Sequence, residues 1–161
     1  MAWTSPRTWT TGEVVTAALM NTHLRDNLKA VGDSWVTTGW TPAFAGTGSA
    51  LGNGTLVGSW MHVGKFTGAR ARLTFGSTTT MGSSGQNISL PATHAGTGGA
   101  TSSSWLVKVV RSGVPRWIVG QVTSSAFYLY ADLAGAAVTA TVPITWTTGD
   151  IVEFECWYEA T

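Results

Sequence analysis

Charge is scarce in this sequence. Asp, Glu, Lys and Arg make up 11% of its 161 residues, against roughly a quarter in an average soluble domain. A lone subunit with so little charge presents much neutral surface, so burial of part of that surface in an oligomer is expected. A monomer with a Thr-, Ser- and Gly-rich exterior is the competing reading. The net charge of +1 gives no footing for nucleic-acid binding, which rests on a basic patch. There is a single cysteine, Cys156, so no internal disulfide can form. No run approaches the roughly 18 apolar residues of a membrane span, and the opening "MAWTSPRTWT" has no apolar core of a secretory signal. The expectation is a protein that stays where it is made unless carried out within a larger assembly, with no membrane insertion.

Reactive groups are equally thin. The three histidines, His23, His62 and His94, share no metal-ligand spacing. "GSSGQ" is not a nucleophile elbow, and the glycine-rich loops lack the lysine and following helix of a phosphate cradle. Carboxylates far apart in sequence can form a glycosidase pair, but nothing in their pattern supports one. "NGT" at 53 and "NIS" at 87 match the glycosylation sequon and carry no weight without a secretory signal. No catalytic, metal or cofactor site is expected, and the chain reads as a structural or binding module.

What the chain has in excess is tryptophan, nine in all: Trp3, Trp9, Trp35, Trp40, Trp60, Trp105, Trp117, Trp146 and Trp157. Large, apolar and carrying one donor, Trp suits cores, subunit interfaces and sugar-stacking platforms. Their even spread favours core and interface.

The front of the chain differs from the rest. Residues 1–12 read as extended, with Pro6 biasing Ser5 away from helix. Thr16 is placed to cap a helix that runs to about Val31 and stops at Gly32. Ala17, Met20, Leu24, Leu28 and Val31 recur every three or four residues and form one apolar stripe. A helix this short needs tertiary contacts, with its own β-domain, with copies of itself or with a larger partner.

From Trp35 onward the pattern is β. "ARARLTF" puts Ala69, Ala71, Leu73 and Phe75 on one face. "VEFECWYE" puts Val152, Phe154, Cys156 and Tyr158 inward and Glu153, Glu155, Trp157 and Glu159 outward. "WLVKVV", "RWIVGQV" and "AFYLYADL" are further strands, while "GTGSALGNG", "GSSGQN" and "HAGTGGATSS" read as loops. The expected fold is mainly β: an antiparallel β-sandwich or jelly-roll-like head of roughly eight strands over residues 34–161, preceded by an extended arm and one short α-helix over residues 1–33. Every charge from Lys65 to Arg116 is positive, and every charge from Asp132 to Glu159 is negative. Arg70 and Arg72 are therefore candidates to face Glu153 and Glu155, within one subunit or between two.

The stretch "MAWTSPRTWTTGEVVTAALMNTHLRDNLKAVG" resembles the N-terminal segment of small virion proteins of tailed bacteriophages, notably those of actinobacterial hosts. The matching pattern is W-x-x-P-R-x-W, then G-E-x-V-T-A-A and a helix ending L-R-D-N-L. "GNGTLVGSWMHVGKFTGARARLTFGSTTTMGSSGQNISLP" and "TWTTGDIVEFECWYEAT" are similar to the strand-turn-strand body and closing strand of the same group. The resemblance implies a virion structural protein, assembled in the host cytoplasm and carried on the capsid or tail surface. It implies a homo-oligomer, commonly a homotrimer, fixed to the particle by its N-terminal segment with the β head outward. On that reading Trp3, Pro6, Arg7, Trp9, Met20, Leu24 and Leu28 attach to the major capsid protein or to tail proteins. With no shaft-forming repeat in the sequence, a capsid decoration protein is expected ahead of a minor tail or tail-fibre protein whose head binds a host glycan.

Overall fold

A computed structural model of the chain describes residues 4–32, 35–36, 38–96 and 103–161. Eight strands form one antiparallel sheet: β1 (Phe44–Thr47), β2 (Thr55–Val63), β3 (Phe66–Thr74), β4 (Ser84–Ser89), β5 (Ser104–Arg111), β6 (Val114–Val122), β7 (Ala126–Tyr130) and β8 (Ile151–Glu159). Their spatial order is β1-β4-β7-β6-β5-β8-β3-β2. The sheet curls over its inner face into a β-sandwich-like body. Phe127 on β7 and Phe154 on β8 have two strands between them in the sheet, yet their rings stack at 4.0 Å across the interior.

Alternation explains which face is inside. Ala69, Ala71, Leu73 and Phe75 are buried, as are Val152, Phe154, Cys156 and Tyr158, the two inward sets read from the sequence. Val107, Val109, Ile118, Val122, Leu129 and Ile88 complete the core from the other strands. Strand residues alternate faces, so each strand gives half its side chains to the core. Close approach is won by omitting side chains: a Cβ on Gly120 would lie 2.0 Å from the Phe127 ring, and one on Gly58 would lie 2.6 Å from the Trp40 ring.

One expected loop is a strand. "GSSGQN" is Gly- and Ser-rich, which argues for a turn, but Ser84–Ser89 pairs with β1 on one side and β7 on the other, with Gln86 and Ile88 buried. Backbone pairing on both sides outweighs the composition. Of the expected loop "HAGTGGATSS", residues 97–102 lie outside the described residues.

The front segment forms one helical run in three parts: α1 (Ala17–Met20), a π-helical stretch (Asn21–Arg25) and α2 (Asp26–Gly32). Thr16 caps it, its hydroxyl accepting from the Leu19 N–H at 3.3 Å. A π turn takes more than four residues, so Met20, Leu24 and Leu28, spaced by four, stay nearly in line. Two residues join the run to the head. Val36 exchanges both backbone bonds with Trp60 on β2, and Trp35 lies between Trp157, at 5.2 Å, and the Arg70 guanidinium, at 4.6 Å.

Candidate functional site

Two surfaces stand out, and the first is the N-terminal unit. The arm folds back on its own helix. The Asn27 side-chain amide, 6% exposed, donates to the Thr4 carbonyl at 2.8 Å and accepts from the Thr4 N–H at 2.9 Å. Its NH2 also reaches the His23 carbonyl at 3.2 Å. Arg7 forms an ion pair with Glu13 and lies over the Trp9 ring at 4.9 Å. Trp9 meets His23 edge-on at 6.4 Å. Of the motif residues, Asn27 ties arm to helix, while Arg7 and Glu13 pair within the segment that precedes the helix. Sequence reading counted Glu13 and Asn27 as matches and assigned them no task. An Asn that can hold both backbone groups of one residue, placed in a helix otherwise built for an apolar stripe, was the available signal. The Arg25 guanidinium beside Asp26 holds that carboxyl below the usual carboxylate range.

The helix buries Asn27 and Ala30, while Met20, Leu24, Leu28 and Val31 remain exposed, Leu28 at 73%. Val14 and Val15, just before the helix, are exposed as well. Of the expected attachment residues, Pro6 is exposed and Arg7 and Trp9 are partly engaged by the chain itself. Trp3 lies outside the described residues.

The second surface is the outer face of the sheet. β8 lies between β3 and β5, which sets the acidic strand between two basic ones. The register then runs a single row across five strands: Trp117, Lys108, Glu153, Arg72 and Val57. Glu153 takes Lys108 at 3.0 Å and Arg72 at 3.4 Å. The charge blocks of the sequence therefore meet inside one subunit. Arg70 is in register with Glu155 but binds elsewhere, donating from Nε to the Ser59 hydroxyl at 2.7 Å and stacking on Trp35. Glu155 makes neither a hydrogen bond nor an ion pair among the described residues. The row and its neighbours line a mainly apolar groove of about 510 Å3, edged by exposed Trp117, Leu106 and Val57.

Among the described residues, no three of His, Cys, Asp and Glu come together as metal ligands, and no helix is long and apolar enough to cross a membrane. Cys156 is buried, and burial pushes its thiol up to about 12. The Tyr158 hydroxyl, which donates to the Ala92 carbonyl at 2.9 Å, is also pushed up by burial. No protein-family model matches the chain, and neither a curated protein nor a solved structure is detectably similar to it.

Proposed function

We propose that this chain is a non-enzymatic structural protein of a bacteriophage virion, a capsid decoration protein that attaches through its N-terminal unit and displays an oligomeric, trimeric β head. The observation that carries this reading is the uncovered stripe of Met20, Leu24, Leu28 and Val31. The stripe stays exposed with the head in place, so its own head is not the partner of the stripe. Exposed apolar stripes of this kind mark interaction surfaces, and the resemblance of residues 1–32 to virion proteins supplies the partner class: sister copies and the particle. The arm is pinned to the helix by Asn27, and its Pro6 and Trp9 are exposed as well. Weak subunit contacts become strong when several copies act together.

Deletion of residues 1–31, alongside the full-length variant Leu24→Asp with Leu28→Asp, tests the reading. Co-sedimentation with particles lacking the protein should be lost in both. Normal incorporation of either would refute it. A second reading, a minor tail or tail-fibre protein binding a host glycan, is favoured by Trp117, 62% exposed in a groove that also carries charged side chains. Binding of the full chain to a glycan array, lost in Trp117→Ala, would select it.

A further inference from the structure

We propose that the helix of one subunit docks across the sheet groove of the next, so that Met20, Leu24, Leu28 and Val31 of one copy cover Trp117, Leu106 and Val57 of another. This rests on the oligomer of the proposed function and names the contact that builds it.

Three observations meet here. The first is that each chain holds an apolar helix stripe without a groove and an apolar groove without a helix. Its own helix meets the sheet at β2, one border of the groove, with the stripe left exposed. The second is size. From Met20 to Val31 the helix rises about 16 Å at ~1.5 Å per residue. From Trp117 on β6 to Val57 on β2 there are four strand spacings of ~4.8 Å, about 19 Å. The stripe and the groove match in length. The third is charge. Glu155, beside the groove's central row, makes neither a hydrogen bond nor an ion pair among the described residues, and Lys29, on the helix next to Leu28, forms no salt bridge among them. A helix laid in the groove can bring an ammonium to that carboxylate.

The charges within the groove do not forbid an apolar guest. Lys108, Glu153 and Arg72 already neutralise one another in part, and the long stems of Lys and Arg offer apolar surface beneath their heads. A helix set into an apolar groove is a recurrent way for proteins to recognise one another. Because the two surfaces differ, the contact is head-to-tail. Repeated around an axis it closes a ring, whose copy number is set by the rotation between subunits.

Two full-length variants, one Leu24→Cys and the other Leu106→Cys, are mixed and mildly oxidised. Cys156 is buried and stays out of the reaction. A disulfide-linked heterodimer is expected in the mixture, and none when Leu133→Cys, which is exposed elsewhere on the molecule, replaces Leu106→Cys. In parallel, light scattering should show Leu24→Asp and Trp117→Ala each self-associating roughly tenfold or more weakly, with circular dichroism unchanged. Several results would overturn the inference: a monomeric parent at micromolar concentration, no cross-link in the mixture, Leu24→Asp dissociating while Trp117→Ala does not, or an oligosaccharide shifting Trp117 fluorescence with the oligomer intact. Particle binding separates the two proposals. Cross-linking without particle binding removes the virion reading alone. Particle binding by a chain that never cross-links removes the helix-in-groove contact alone.

Discussion

Replacing Asn27 by Ala should release the N-terminal arm and leave the head untouched. Asn27 holds the backbone C=O and N–H of Thr4, at 2.8 and 2.9 Å. A net contribution of about 1 kcal/mol per hydrogen bond gives the arm about 2 kcal/mol from this one side chain. The freed Thr4 groups are only half-buried and regain water, so they leave no large desolvation penalty behind. The helix itself is not weakened, because Ala is a better helix former than Asn by a few tenths of a kcal/mol, ~0.7 at most. The loss therefore falls on local opening of the arm. At 1.4 kcal/mol per tenfold, about 2 kcal/mol raises the open population roughly thirtyfold. Hydrogen exchange over residues 4–12 reads this directly, and tryptic cleavage after Arg7, which is held by Glu13 in the closed arm, reads it independently. Both rates should rise by that order while the urea midpoint of the head stays fixed. Unchanged exchange would mean that the arm is held by something other than Asn27. A parallel fall in global stability would mean that arm and head unfold as one unit.

Other substitutions probe the sheet. Gly120→Ala puts a methyl group into the space held by the Phe127 ring and should lower stability by about 1–3 kcal/mol, the usual cost of overpacking, seen as a lower denaturant midpoint at unchanged slope. Glu153→Gln leaves Lys108 and Arg72 without their shared carboxylate. These groups are part-exposed, so the loss should stay below about 1 kcal/mol and shrink with added salt. Cys156 should resist thiol reagents at pH 8 until the protein is unfolded. Burial pushes its folded thiol up to about 12, well above an ordinary cysteine, so the unfolded chain gives up this proton first. The stability linked to it is fully present below pH 9 and is lost as pH rises from there towards about 12; a Cys156→Ala variant should show a shallower decline over that window in urea melts.

Much of this molecule is written locally. The inward sets of β3 and β8 follow from strict alternation, because strand geometry sends neighbouring side chains to opposite faces whatever the topology. Thr16 starts the helix through a local side-chain cap. Other features depend on partners distant in sequence. The segregated charges pointed to β3 facing β8, which the register bears out, without saying in which subunit; that β5 flanks β8 on its other side was not legible, and with it went the row from Trp117 to Val57. "GSSGQN" misled because glycine and serine report local preference, while β4 exists through neighbours on both sides. The stripe of Met20, Leu24 and Leu28 announced a buried face, since periodicity fixes which residues share a side of a helix. Which side is covered depends on partners distant in sequence: Asn27 is buried where it holds Thr4 of the arm, the last helical turns meet β2, and the stripe stays exposed. The sequence by itself determined the faces, and the tertiary structure decided which of them still lack a partner.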